Sequence, residues 1–307
     1  MEAREDLFQG LRRVTVSNPY LSISMLPELG GKVTSLVKGT REWLHLNSNF
    51  SLIRPIYGSS YTRDFDSGGW DECLPSVTGE REETGGQEIP DHGEVWGLPW
   101  SCNVERLERE IHICAAVKSE KFGFELRRTI VVPADEAIIR MSYTLTNLTD
   151  RPFPYLWSAH PILNIEPNMR ISLPANSPVR LNSPVNTPTG FWPFLDPSTQ
   201  VDIVPSKEAA TARKLFVGPL AEGWVALTAP DGDMLRFSFD VKEVPFVGLW
   251  QNYGGWSGNE RFAPYYNLGV EPCSGMPDSL QTAQVWSTCH TLPAALTSTW
   301  ALTISFT

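Results

Sequence analysis

The sequence has no apolar run that approaches the roughly 18 residues needed to span a bilayer. Residues 1–6 are mostly charged and contain no apolar signal region behind a basic start. The five cysteines are scattered and none forms a CxxC pair. Such spacing predicts neither a disulfide framework nor a zinc site, and it favours buried thiols. Together these absences predict a cytoplasmic protein with no membrane partner.

Positively charged residues are outnumbered, since 25 Lys and Arg against 35 Asp and Glu give a net charge of −10. A field of that sign disfavours binding to nucleic acid and to anionic membranes, and more weakly to phosphorylated substrates. The hydrophobic fraction of 41% is ordinary for a globular protein, so 307 residues can bury a substantial core. Eleven tryptophans are many for this length. They can stack on sugar rings or pack inside a β core, and composition does not separate the two.

Helical patterns are scarce and strand patterns dominate. Apolar residues alternate with polar ones over 139–146, 235–240 and 300–306. The best helical pattern covers 206–213, where a serine could cap a short helix. Short strands among 25 prolines and 23 glycines, with no repeat of 20–50 residues, predict an antiparallel sandwich or barrel. No linker divides the chain, so residues 1–307 are expected to form one large all-β domain.

Four stretches place titratable residues beside turns or aromatic side chains. Glu271 lies between a short apolar run and a proline, so a strand that ends there would fix its side chain. His92 precedes a glycine, and His160 ends an aromatic strand just before a proline that restricts it to extended geometry. Asp71 and Glu72 are adjacent carboxylates in a glycine-rich loop. Taken alone, each also has an ordinary structural interpretation: a solvated strand end for Glu271, a core or surface histidine for His92 and His160, and an acidic turn for Asp71 and Glu72.

Three kinds of chemistry compete for Glu271 and the two histidines. A zinc hydrolase site uses two histidines and one glutamate, but the sequence has no HExxH motif. A glycosidase needs two carboxylates that flank the scissile bond, which Glu271 with Asp71 or Glu72 would supply. A proton-transfer enzyme needs a base near neutrality and an acid on the other side of the substrate, roles that a glutamate and a histidine can fill. The residues by themselves leave all three open.

Four motifs in a fixed order resemble those of the aldose 1-epimerases, the galactose mutarotase-like proteins. They are LPELGGKVTSL at 26–36, DHG at 91–93, LTNLTDRP followed by SAHP within 145–161, and VEPCSGMPD at 270–278. Each motif is short, but their common order extends over nearly the whole chain. The resemblance implies a large antiparallel β-supersandwich whose concave face binds a sugar.

The same resemblance implies roles for three residues. Glu271 is expected to be the general base that takes the proton of the anomeric hydroxyl, and His160 the general acid that protonates the ring oxygen. His92 is expected to hydrogen-bond near the anomeric centre. Ring opening, rotation about C1–C2 and reclosure would then exchange the anomers of a monosaccharide, with no metal or other cofactor. The oligomeric state is left open, with a homodimer as one possibility. The alternative function is a non-catalytic protein that binds or senses a sugar.

The residues that would bind the sugar are less well defined, because the sequence departs from the family in the sugar-binding motifs. Residues 69–72 occupy the region where galactose mutarotases carry an Asn-Arg pair. The side chains expected to bind the sugar are Asp71, Glu72, Arg63, Gln251 and Trp250. A sugar phosphate would need an arginine cluster, for which only Arg63 and Arg81 are near, and the negative net charge disfavours it.

Overall fold

The computed structural model describes residues 1–80, 88–183 and 185–307. The first strands are β1 (Glu2–Phe8), β2 (Leu11–Ser17), β3 (Leu21–Leu26), β4 (Lys32–Lys38), β5 (Arg41–Glu42), β6 (Trp70–Cys73), β7 (Ser101–Arg106), β8 (Glu110–Ser119), β9 (Phe124–Pro133), β10 (Ile138–Asn147), β11 (Phe153–Tyr155) and β12 (Ser158–Leu163). The later strands are β13 (Arg170–Ser172), β14 (Pro178–Leu181), β15 (Gly190–Phe191), β16 (Phe194–Asp196), β17 (Thr199–Gln200), β18 (Thr211–Val217), β19 (Trp224–Thr228), β20 (Met234–Phe239), β21 (Phe246–Tyr253), β22 (Tyr266–Cys273), β23 (His290–Leu292) and β24 (Thr297–Phe306).

Most of these strands belong to two antiparallel sheets. The larger sheet has twelve strands in the order β1-β2-β3-β4-β6-β12-β22-β21-β18-β14-β15, with β5 paired to β4. The smaller has eight strands in the order β13-β19-β20-β24-β10-β9-β8-β7. Two short pairs, β11 with β23 and β16 with β17, lie outside them. The predicted all-β, antiparallel class is confirmed.

Apolar side chains from both sheets form one continuous core. The alternation predicted for 139–146 is the reason β10 contributes to it, because successive side chains on a strand point to opposite faces. Ile139, Tyr143 and their apolar neighbours are buried, whereas the intervening residues are exposed or half-buried. Trp70 of the larger sheet meets Phe237 of the smaller one edge-on, with 5.7 Å between ring centroids. The core therefore joins the two sheets. The face of the larger sheet that points away from the core is not used in this packing.

Helix is rare, and the one predicted helix is wrong. Lys207–Ala209 form a single 3-10 turn and Thr211 then begins β18, so residues 206–213 contain no α-helix. Pairing of β18 with both β14 and β21 outweighs the helix propensity of the alanines. In the described ranges the one α-helix is Leu280–Trp286, named α1, which was not predicted. No helix in the part of the chain that the structure describes is long and apolar enough to cross a membrane.

Candidate active site

A cavity of about 270 Å³ opens on the larger sheet. The titratable and aromatic residues in its wall are His160, Lys214, Trp250 and Glu271 from strands β12, β18, β21 and β22, and Tyr61, Asp66, Asp91, His92, Trp256 and Asp278 from the segments between strands. Tyr61 begins a single π-helical turn, Tyr61–Phe65. The volume is just below the roughly 300–1,000 Å³ of sites for drug-sized ligands, so it suits a small polar molecule.

Glu271 lies near the C-terminal end of β22, opposite Gly248 of β21, and only 1% of it is exposed. Its Oε2 accepts a hydrogen bond from Lys214 Nζ. Its Oε1 has no hydrogen-bond partner among the described residues and lies 3.8 Å from His160 Nε2. An unsatisfied buried polar atom is costly, and it often marks a place for a ligand or a proton. The fold therefore brings Glu271 and His160 together.

Burial shifts the pKa values of these two residues in opposite directions. It raises the pKa of Glu271 above the usual value of 4.5, while Lys214 opposes the rise and Asp278 adds to it. Burial also lowers the pKa of His160 well below its usual value of 6.5, and His92 and Lys214 add to this effect. Both shifts have the same origin, since burial disfavours the charged form of each residue.

His92 is fixed by a carboxylate and by an aromatic stack. Its Nδ1 lies 2.8 Å from Asp91 Oδ1, and its ring stacks on Tyr61 with 3.9 Å between centroids. The ring also meets His160 edge-on at 4.9 Å. His92 has a left-handed φ of 63°, and Gly93 must follow it because a Cβ there would lie 2.3 Å from a backbone carbonyl oxygen. The DHG sequence thus holds one imidazole beside the other.

Asp71 lies behind the cavity wall, which corrects the expectation that it binds the sugar directly. Its Oδ2 accepts hydrogen bonds from Lys32 Nζ and, at 2.8 Å, from the Tyr61 hydroxyl. The residue is fully buried and does not line the cavity. Because the Tyr61 ring stacks on His92, Asp71 supports the site through its hydrogen bond with Tyr61.

Glu72 points to the opposite face of β6 from Asp71 and lies in the core, which corrects the second predicted carboxylate. Arg128 Nη1 donates to Glu72 Oε1 at 2.8 Å, and both side chains are fully buried. The Tyr143 hydroxyl and Trp157 Nε1 also donate to this carboxylate, each at 2.9 Å. Glu72 therefore holds the two sheets together and cannot reach a ligand.

Two other predicted sugar-binding residues do not line the cavity. Arg63 is exposed on the π-helical turn and binds Asp64, with 2.9 Å between Nη2 and Oδ2. Gln251 is buried on the face of β21 opposite to Trp250, since adjacent residues of a strand alternate. There its Nε2 donates to the carbonyl oxygen of Val201 at 2.7 Å. The burial of Gln251 corrects the expectation for that residue, whereas sugar binding by Arg63 stays a prediction.

Trp250 is the predicted sugar-binding residue that does line the cavity. Its ring meets Trp256 edge-on, with 5.3 Å between centroids, so two indoles form one side of the wall. Arg81, named above as a phosphate candidate, lies outside the described residues. Among the lining residues that the structure describes, none is an arginine.

Sequence reasoning missed Lys214, which provides the ammonium group at the site. It directly follows the stretch 206–213 that was predicted to be helical, and lysine is usually an exposed residue, so no local signal marks it. Its Nζ reaches Glu271 Oε2 and lies 3.5 Å from Asp278 Oδ1. Asp278 was part of the resemblance at 270–278, although no role was assigned to it. Only the pairing of strands distant in sequence brings these three residues together.

The geometry also bears on the two rival chemistries. The glycosidase hypothesis paired Glu271 with Asp71 or Glu72, and neither of those carboxylates reaches the cavity. A different carboxylate, Asp278, shares the Lys214 ammonium with Glu271 and so lies on the same side of the cavity. In the ranges described by the structure, no group of three or more His, Cys, Asp or Glu side chains is arranged to hold a metal ion.

Comparisons with known proteins agree with this fold. A Klebsiella pneumoniae protein provisionally named an aldose 1-epimerase is 18% identical, with a TM-score of 0.77 over 97% of this chain and 79% of that one. A galactose mutarotase-like protein from Clostridium acetobutylicum is 12% identical, with a TM-score of 0.72 over 100% of this chain and 98% of that one. Another, from Lactobacillus casei, is 17% identical, with a TM-score of 0.64 over 96% of this chain and 100% of that one. At these identities the likeness shows the galactose mutarotase-like fold alone. No curated protein matches the chain. A family model described as a domain of unknown function (DUF4432) matches residues 9–306, so the chain belongs to the DUF4432 family.

Proposed function

We propose that this protein is an aldose 1-epimerase that interconverts the α and β anomers of a free aldose. The observation that supports this most directly is the 3.8 Å separation of Glu271 Oε1 and His160 Nε2 beside one small cavity. A hemiacetal carries two oxygens on one carbon, and its ring opens when one oxygen loses a proton while the other gains one. A carboxylate and an imidazole this close together can each reach one of those two oxygens.

In the proposed reaction, Glu271 Oε1 takes the proton of the anomeric hydroxyl, and the electrons of that O–H bond form the C1=O double bond. The bond from C1 to the ring oxygen breaks, and its electrons take a proton from His160 Nε2. Rotation about C1–C2 then presents the other face of the aldehyde. Reversal of both proton transfers closes the ring to the other anomer and restores both residues. His92 donates a hydrogen bond at the anomeric centre.

The remainder of the wall suits an unphosphorylated sugar. Trp250 and Trp256 offer aromatic faces for the C–H side of a sugar ring. Asp66 and Asp91 offer carboxylate oxygens that accept hydrogen bonds from hydroxyl groups. The same carboxylates would repel a phosphate, and Lys214, the lysine among the described wall residues, is already paired with Glu271. The proposed substrate class is therefore a neutral aldose.

The direct test is exchange NMR of anomers with purified protein on a panel of aldoses, compared with the uncatalysed rate. We expect acceleration of at least one neutral aldose and none of the corresponding 6-phosphates. Saturable binding of a sugar, with no acceleration of its anomer exchange, would instead support the non-catalytic sugar-binding function. Acceleration of the phosphate alone would contradict the assigned substrate class.

The rate of exchange is expected to depend on pH as a bell, because the active form carries one proton on the pair of Glu271 and His160. Above the higher apparent pKa both groups are deprotonated and no acid remains; below the lower one both are protonated and no base remains. Asp66 can also contribute a limb to the profile, since burial raises its pKa to about 6. The profile should therefore be measured for wild type and for Asp66→Asn. A limb that disappears in Asp66→Asn belongs to Asp66 and would contradict the assignment to the pair.

A further inference from the structure

The Lys214 side chain reaches Glu271 by crossing an intervening strand. In the register of the larger sheet, Lys214 of β18 pairs with Trp250 of β21, and Gly248 of β21 pairs with Glu271 of β22. A Cβ added to Gly248 would lie 3.2 Å from Glu271 Oε2 and 3.3 Å from Lys214 Cε, both tighter than ordinary contact. Gly248 therefore leaves the space through which the ammonium group meets the carboxylate.

A second glycine leaves space on the other side of the same carboxylate. A Cβ added to Gly269 would lie 2.8 Å from Glu271 Oε1, a distance that side chains essentially never show. The two oxygens of Glu271 are consequently held in different surroundings. Oε2 is bound by Lys214, whereas Oε1 has no hydrogen-bond partner within the described ranges.

Asp278 balances the charge of Lys214. Its Oδ1 lies 3.5 Å from Lys214 Nζ, and its Oδ2 accepts a hydrogen bond from Asn182 Nδ2 at 2.9 Å. With Glu271 ionised, the three groups carry one net negative charge. When Glu271 gains a proton, Lys214 and Asp278 remain as a neutral ion pair. A buried cation without a counter-charge is strongly unfavourable, so Asp278 allows Glu271 to be protonated without leaving Lys214 uncompensated.

We propose that Lys214 and Asp278 are positioning residues for Glu271, an inference that rests on the function proposed above. Lys214 occupies Oε2 and so leaves Oε1 as the basic oxygen that faces the substrate. Asp278 keeps the Lys214 charge compensated before and after the proton transfer. Gly248 and Gly269 leave room for this arrangement.

The titratable groups around Glu271 determine the sign of each expected effect. They are Lys214 on β18, Asp278 after β22, His160 on β12, His92 after β6, Cys73 on β6 and Cys273 on β22. Although burial opposes the ammonium form, Asp278 and Glu271 raise the pKa of Lys214 above its usual value, so it stays charged at neutral pH. Lys214 lowers the pKa of Glu271 and Asp278 raises it. Removal of the Lys214 charge should therefore raise the pKa of Glu271, and removal of the Asp278 charge should lower it.

The experiment compares pH profiles of anomer exchange for wild type, Lys214→Met, Lys214→Arg and Asp278→Asn. We expect Lys214→Met to move the acidic limb upward by about 1–3 pH units, a typical effect of one nearby charge. Asp278→Asn should move it downward, and Lys214→Arg should leave it near the wild-type position because the charge is kept. The matched control is Lys242→Met, because Lys242 is an exposed lysine in the turn before β21. An acidic limb that stays in place in Lys214→Met would overturn the proposal.

A carbon-13 NMR titration of the Glu271 carboxyl in the free protein separates this inference from the proposed function. The resonance is assigned by its loss in Glu271→Gln, and the titration needs no turnover. If wild type accelerates no aldose but the titration moves upward in Lys214→Met and downward in Asp278→Asn, the positioning role stands and the epimerase function fails. If wild type is active and the titration moves in neither variant, the positioning role is wrong. Because Asp278→Asn keeps the lysine, it serves as the test if Lys214→Met does not fold.

Discussion

Glu271→Gln is expected to slow anomer exchange by about 10²–10⁴-fold, the usual contribution of a positioned general base. The amide has nearly the shape of the carboxylate, so its oxygen can still accept the hydrogen bond from Lys214. The atom in the place of Oε1 then becomes an NH2 group, which donates hydrogen bonds and cannot take a proton at this pH. Lys214 also keeps Asp278 as a counter-charge, so the cavity should remain intact.

The rate constants should be measured by exchange NMR under saturating aldose, beside the variant Glu108→Gln. Glu108 is exposed in the turn between β7 and β8 of the smaller sheet, so this control makes the same chemical change far from the cavity. Binding of the sugar to Glu271→Gln is expected to change little. Exchange by Glu271→Gln at the wild-type rate would show that Glu271 is not the base.

The fold class could be predicted because one local rule decides it. Residues 139–146 and 300–306 alternate between apolar and polar side chains, and β10 pairs with β24 in the smaller sheet from Ile138 opposite Ser305 to Thr146 opposite Thr297. The period of two is visible in any short window of sequence. The order of strands in the larger sheet is not, because β12 lies between β6 and β22, which are far apart along the chain.

Within the site, sequence could indicate the residues in short motifs but not those joined across strands. Glu271, His160 and His92 come from motifs beside a proline or a glycine, and the fold brings them to one cavity. Lys214 contributes only through the register of β18 against β21, which no local pattern encodes. Residues that are adjacent in sequence can also be separated by a strand, since the side chains of Asp71 and Glu72 point to opposite faces of β6.

The largest effect on stability is expected for Arg128→Met, which should reduce the free energy of unfolding by about 3–5 kcal/mol. Arg128 Nη1 is bound to Glu72 in the core, and Nη2 donates to the carbonyl oxygen of Gly31. Removal of the guanidinium leaves a buried carboxylate without its counter-charge. Arg127→Met is the matched control, because Arg127 is exposed and its pair with Glu125 contributes only about 0–1 kcal/mol. Both variants are compared with wild type by urea unfolding at pH 7.

The double variant Arg128→Met with Glu72→Leu tests whether the charge itself causes the loss. It should be at least as stable as Arg128→Met, because no ion remains in the core, but less stable than wild type because Tyr143 and Trp157 lose their acceptor. Burial already raises the pKa of Glu72, and loss of Arg128 raises it further, so the folded single variant binds a proton more readily than the unfolded chain. Its deficit should therefore shrink as pH falls toward 4.5, the usual Glu value, and persist at higher pH. A deficit of Arg128→Met that is independent of pH, with a double variant that is less stable than Arg128→Met, would show that packing rather than charge holds this contact between the sheets.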